Sequence, residues 1–252
     1  MILVAKLLLV PTLIAFITVA GTRFGPRVAG VLTGLPVVAG PIALFMALEQ
    51  VPFAARSAAA TLAGEGSLAA FCVLYAATAP GASWVASTVV GWLGFLVVTA
   101  VLDRLQPSLA AATGIALAAP VLVTALTPAL RVDRAVTAVV TPGEIALRMA
   151  AGVALMLVLT TVAHVLGPRL AGLLTVFPIA TTVLAAFSHR AEGAPFAIDL
   201  LRGLALGLYS LTAFFVTLAL TLERVGIAVG FGAAAAAALG AQALVLALVR
   251  RR

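Results

Sequence analysis

The sequence predicts an all-α, polytopic integral membrane protein with about nine transmembrane helices, two four-helix repeats joined by a fifth, linking helix. Three observations carry that prediction. Apolar residues make up 64% of the 252 residues and charged residues only 9%. The mean hydropathy is +1.26, and a soluble chain needs about a quarter charged residues to dress its surface. The charges are clustered, so that positions 28–48, 66–102, 105–130, 203–222 and 225–249 hold no Asp, Glu, Lys or Arg. Finally, the chain contains itself twice.

The duplication is read directly. Gly25-Pro26-Arg27-Val28-Ala29-Gly30-Val31-Leu32-Thr33-Gly34-Leu35-Pro36 returns as Gly167-Pro168-Arg169-Leu170-Ala171-Gly172-Leu173-Leu174-Thr175-Val176-Phe177-Pro178, with eight of the twelve positions identical. The same offset pairs Lys6 with Arg148 and Phe45 with Phe187. After a one-residue slip, Pro52-Phe53-Ala54 meets Pro195-Phe196-Ala197, Gly64 meets Gly207, Ser67-Leu68 meets Ser210-Leu211, and Phe71 meets Phe214. In an apolar chain a repeat of this length points first to transport.

Each charge-free run is near the roughly 20 residues that a helix needs to cross a bilayer, and a backbone in lipid must satisfy its own hydrogen bonds. The runs are therefore read as helices near 2–22, 27–48, 54–79, 83–102, 107–130, 145–166, 169–189, 195–221 and 225–249. Period-two alternation is absent, which removes a transmembrane barrel. Residues 1–102 form the first repeat, 103–142 the linker with its own helix, and 143–252 the second repeat. Residues 1–20 have the look of a signal peptide, with Thr18-Val19-Ala20 as a loose cleavage site. Their return at 143–162 predicts that the first helix is retained.

An odd linker inverts the second unit relative to the first. The N-terminal side then holds Lys6, Arg56, Arg104, Arg169 and Arg224, and the other side holds the remaining ten of the 15 basic residues. That bias predicts a multi-pass membrane protein with its N-terminus outside and its C-terminus in the cytoplasm. If 107–130 does not cross, eight helices form a parallel 4+4 repeat with a basic tally of eleven against four. Pro120 and Pro128 suit such a re-entrant segment, but a long charge-free run has no comfortable place in water.

The candidate pathway lies in the second helix of each unit. Thr33 and Pro36 crowd one copy; Thr175, Pro178, Thr181 and Thr182 crowd the other. Proline removes a backbone donor and pushes away the carbonyl one turn earlier, so each helix kinks or breaks. The freed carbonyls need a Thr hydroxyl, water or a solute, and broken helices at the midplane are where transporters bind. Solute is expected to cross where the second and seventh helices face each other. The alternative is a kink with small residues for close packing.

Glu65 is the sharpest single residue. It lies near the centre of the third helix, and its counterpart is Leu208. A carboxyl group at that depth faces the bundle interior, pairs or holds a proton, which suits a proton-coupled step. The bland reading is a structural Glu, neutral or paired with Lys6. Lys6 and Arg148 are matched near the start of the first helix of each unit, where they either reach for the interface along apolar stems or draw in an anion. Arg27 and Arg169 follow Gly-Pro at a helix start, where they mark the interface, grip lipid phosphate or gate the two mouths.

Other chemistries lack their residues. His164 and His189 are far apart, and with Cys72 as the single cysteine no metal site is expected. Ser67 and Ser210 have no neighbouring His or Asp in sequence, no nucleotide-type glycine loop appears, and no cofactor or enzymatic activity is expected. The net charge of +7 is read as positive residues holding loops in the cytoplasm, not as a nucleic-acid surface.

Arg148, Ala171-Gly172-Leu173 with Phe177-Pro178, and Gly207-Leu208-Tyr209-Ser210 together resemble the GlpM-like family. These are small bacterial inner-membrane proteins about one repeat long. The resemblance covers 143–252 directly and 1–102 through the repeat, leaves 103–142 outside, and implies a four-span unit linked to alginate exopolysaccharide production. The chain departs from the family in fusing two units, and Glu65 draws nothing from it. The expectation is a permease for a small polar or anionic solute, with the bilayer and that solute as its partners. The alternative is an accessory subunit of envelope polysaccharide biosynthesis or export. Either is compatible with a homo-oligomer.

Overall fold

A computed structural model describes residues 2–128, 140–163 and 168–250 as helices and short connections, with no strand among them. The elements are α1 (Ile2–Phe24), α2 (Pro26–Gly34), α3 (Ala39–Glu49), α4 (Val51–Thr78), α5 (Trp84–Leu105) and α6 (Leu109–Leu126). They continue with α7 (Pro142–Ala163), α8 (Pro168–Thr175), α9 (Ile179–Glu192) and α10 (Ala194–Arg250). Prolines occupy the first turn of α2 and α4, where a missing donor costs nothing. Ser83 and Ser108 cap α5 and α6 by accepting from the Ala86 and Ala111 amides at 3.3 Å.

Two of the expected helices are each two helices. The second predicted helix divides into α2 and α3 around Leu35–Val38, and the seventh into α8 and α9 around Val176–Pro178. The last two predicted helices are likewise two arms within α10: at Gly226 a non-helical φ of 78° and ψ of 178° break the helix, and the second arm folds back on the first, where Ser210 donates to the Ala238 carbonyl and Phe214 meets Phe231. The ends of the predicted 107–130 and 145–166 helices, and His164, fall outside the described residues.

Six segments among the described residues are long and apolar enough to cross a membrane: Pro26–Glu49, Val51–Thr78, Trp84–Leu105, Leu109–Leu126, Gly172–Glu192 and Ala194–Val249. Val51–Thr78 and Gly172–Glu192 are the most enclosed by protein, at 67% and 72% buried, so they form the centre of the bundle. The outer faces carry apolar side chains, among them Leu93 and Val97 on α5, Val121 on α6, and Leu239 and Leu244 on α10. Apolar surface of that extent is unusual on a protein bathed in water, and it is consistent with a multi-pass membrane protein.

Packing between the copies is crossed. α2 lies on α10 and α8 lies on α4, so the first half of each broken helix rests on the third helix of the other copy. A Cβ on Gly30 would strike the Leu200 carbonyl oxygen, and one on its counterpart Gly172 would come within 2.5 Å of the Ser57 carbonyl oxygen. Two turns further along the third helices, Gly207 approaches the Val31 carbonyl as Gly64 approaches that of Leu173, at 2.5 and 2.7 Å from the built Cβ. Leu200 and Ser57, Val31 and Leu173, and Gly207 and Gly64 are themselves repeat equivalents. The contacts therefore recur when the copies are exchanged. α1 packs on α7 through Val10, Ile14, Gly152 and Met156, and α6 lies across both α4 and α10.

Gly207→Ala places a methyl group 2.5 Å from a backbone oxygen and 2.7 Å from the Gly34 Cα, with no side chain to yield. We expect it to destabilise the purified protein by about 1–3 kcal/mol in thermal unfolding in detergent. Gly232→Ala, which meets nothing within 4 Å, should leave unfolding unchanged. Equal behaviour of the two variants would remove the crossed backbone contact as a source of stability.

Candidate functional site

The two breaks are built alike. Leu35, before Pro36, is extended with ψ of 156°, because the proline ring excludes the helical conformation from the residue before it. The chain resumes its helix when the Pro36 carbonyl accepts from Gly40 at 2.9 Å, and the Pro178 carbonyl accepts from Thr182 at 2.7 Å. Thr33 donates to the Gly30 carbonyl at 2.7 Å within its own helix. In the other copy the carbonyl of Gly172 accepts from Thr61 of α4 at 3.1 Å. The expected Thr hydroxyl at a broken helix is present, but at Gly172 it comes from the opposite repeat.

Glu65 sits beside the break in α8. It is 0% exposed, and the preceding residue, Gly64, touches Leu173 and Val176 where α8 ends. Its Oε2 accepts from Thr212 of α10 at 2.7 Å, while its Oε1 has no hydrogen-bond partner. One oxygen is therefore fixed across the seam between the copies and the other is bare. A buried polar atom without a partner costs about 1–3 kcal/mol, so the arrangement is expensive to keep.

The predicted pathway residues do not come together as one facing pair of helices. Between the two broken helices direct packing is slight, chiefly a small contact of α2 with α9, while Val38 and Phe177 border the same apolar cluster that holds Ile179 and Val183. Thr33 and Pro36 are half-buried, whereas Pro178, Thr181 and Thr182 are buried. Thr182 accepts from the Trp92 indole at 3.0 Å. Thr175 closes α8, half-buried. The broken helices rest chiefly on α10 and α4 and only slightly on each other. The reason is steric, since the glycines that permit closest approach face those third helices.

The basic residues have separate fates. Arg27 lies 3.7 Å from Asp199 and is half-exposed, a contact worth little. Arg169 faces Asp103 at 3.1 Å and donates to the Leu102 carbonyl at 2.8 Å, which fastens the start of α8 to the end of α5. Arg148 is buried, donates from Nη2 to Glu144 Oε1 at 2.7 Å and lies 5.2 Å over the Phe187 ring. The side chain of Lys6 lies outside the described residues.

Thr212 and Thr61 were missed in the sequence. Thr212 had a legible signal: its counterpart is Ala69, so the copies differ in polarity at 65/208 and again one turn later at 69/212. Side chains four apart on a helix share a face, and Glu65 and Thr212 are the two polar members of that pair of differences. No protein-family model matches the chain, and no curated protein or solved structure matches it either.

Replacing Glu65 and Thr212 by the residues of the opposite copy tests the pairing. Thr212→Ala alone should cost about 1–3 kcal/mol in thermal unfolding, because it strips the last partner from a buried carboxyl group. In a Glu65→Leu background the same change should cost close to nothing. An equal cost in both backgrounds would show that Thr212 acts through packing alone.

Proposed function

We propose that the chain is a nine-span, inverted-repeat permease of a bacterial inner membrane that carries a small polar or anionic solute, with Glu65 as its proton-bearing group. The observation that carries this reading is Glu65 itself: wholly buried, held by a single hydroxyl from the other copy, and placed where α8 breaks. An intramembrane carboxyl group that is costly to bury and only half satisfied is the kind of group a proton-coupled carrier retains. Its position at the seam between repeats agrees with transport by movement of one repeat against the other.

The inversion is supported by what lies at the two ends of α6. Near its start, Arg169 meets Asp103 and the Leu102 carbonyl. At its finish, Arg202 Nη1 donates to the carbonyls of Thr124 and Thr127, and the same end of α10 carries the Asp199 that faces Arg27. Eighteen residues of helix separate these charged layers, a rise of about 27 Å, close to the roughly 30 Å of a bilayer core. On this reading Arg27 and Arg169, equivalent in the repeat, belong to opposite faces.

Glu65→Gln should abolish solute-dependent proton flux in proteoliposomes loaded with a pH-sensitive dye and challenged with a panel of small organic and inorganic anions, while expression is unchanged. Full flux in the variant would remove the coupling role. For the topology, single cysteines beside Arg27 and Arg169 in a Cys72→Ser background are exposed on intact cells to a membrane-impermeant thiol reagent. Labelling only beside Arg169 is expected, and labelling at both sites would overturn the inversion in favour of eight parallel spans.

A further inference from the structure

Polar contacts fasten one of the two broken helices along its whole length. Where α8 starts, Arg169 meets Asp103 of α5 at 3.1 Å and donates to the Leu102 carbonyl at 2.8 Å. One turn on, Thr61 of α4 donates to the Gly172 carbonyl at 3.1 Å. Past the break, the Trp92 indole of α5 donates to Thr182 at 3.0 Å. Near the end of α9, the Tyr75 hydroxyl of α4 is hydrogen-bonded to His189 Nδ1 at 3.2 Å. Every one of these ties joins α8 or α9 to α4 or α5, and they lie on both sides of the break.

The matched positions of the other copy lack the groups to do this. The repeat sets Leu246 against Asp103, Leu204 against Thr61, Ala235 against Trp92, Gly40 against Thr182, Leu218 against Tyr75 and Ala47 against His189. None of those side chains can form a hydrogen bond. The seam between α2 and α10 is smooth instead: Gly30 and Gly34 of α2 and Gly203 and Gly207 of α10 each bring one backbone onto the other. The seam between α8 and α4 keeps only two glycines of that set, because Val176 stands at the position of Gly34 and Ala60 at that of Gly203. The charged contact across the smooth seam, Arg27 with Asp199, is long at 3.7 Å and half-exposed.

The two kinds of contact resist different motions. Touching glycine faces resist separation, yet with no side chain to climb over another they leave a slide along the helix axis nearly free. A hydrogen bond is lost once donor and acceptor part by about an ångström, so it fixes position along the axis as well. The ties therefore hold α8 and α9 in one register, and the glycines let α2 change its own.

We propose that α2 and α3 form the moving element of this protein, sliding along α10, while α8 and α9 stay with α4 and α5 as its frame. The proposal rests on the permease reading only in making that slide the step that carries solute; the slide itself stands apart from it. Spin labels on the full chain in liposomes, in a Cys72→Ser background, test it. One pair of cysteines replaces Val28 of α2 and Arg104 of α5, and the other replaces Arg190 of α9 and Arg104; all three side chains are exposed. Val28 and Arg190 belong to the end of the bundle that holds Arg202, and Arg104 to the end that holds Arg169, so both pairs read displacement along the helix axes.

Pulsed dipolar spectroscopy should give the Val28–Arg104 pair two distances that differ by up to about 5 Å, one helical turn. The Arg190–Arg104 pair should give one. Leu246→Asp, which returns to α10 the acid that Asp103 gives to α5, should narrow the Val28–Arg104 pair to a single distance. One Val28–Arg104 distance in the parent protein, an equal spread for Arg190–Arg104, or a spread that persists in Leu246→Asp would each overturn the assignment. Two Val28–Arg104 distances in a protein that shows no solute flux in proteoliposomes would reject the permease reading and leave the moving element standing. Flux through a protein whose two pairs are both fixed would do the reverse.

Discussion

Where Gly30 meets Leu200 and Gly172 meets Ser57, two backbones touch with no side chain between them. In lipid, apolar side chains gain nothing by leaving the bilayer for one another, so helices are held by close contact and by hydrogen bonds between them. The glycine approaches provide the first. Thr61 on the Gly172 carbonyl, Thr99 on Ser67 and Ser210 on the Ala238 carbonyl provide the second. Because each close approach joins one copy to the other, neither four-helix unit encloses its own broken helix. The shape of the centre, and the position of everything in it, follows from that exchange.

Glu65 and the Arg148 cavity are two consequences. The crossed packing carries α8 onto α4 beside Glu65, and it carries α10 close enough for Thr212 to reach the carboxyl group. It also draws α1, α7, α9 and the start of α10 around one small cavity lined in part by Thr18, Arg148 and Glu192. Glu65 keeps an oxygen unsatisfied in a protein that pairs many of its hydroxyls back onto its own helices. Such atoms lower stability, which sets them apart from the packing around them.

The copies have diverged where they would be expected to share a burden. Glu65 faces Leu208 across the repeat, and Thr212 faces Ala69. A single carboxyl group at the seam needs one partner, and a second one nearby would add a like charge in a poorly screening environment. Duplication supplied two positions, and the asymmetry leaves one buried acid with one hydroxyl. Elsewhere the pairs remain, as in the matching proline carbonyls that restart α3 and α9.

The sequence by itself determined the all-helical class, the duplication, the breaks at Pro36 and Pro178 and the oddity of Glu65. These are local properties: proline lacks a donor wherever it sits, an apolar run must be helical in lipid, and a lone acid stands out against its neighbours. Tertiary structure alone decided which helix each broken segment rests on, that Thr212 partners Glu65, and that Arg148 is buried against Glu144 and Phe187. In a nearly uniform apolar background every face of a helix reads alike, so periodicity does not name its neighbour. That choice falls to shape, at the few positions where a missing Cβ lets another backbone in.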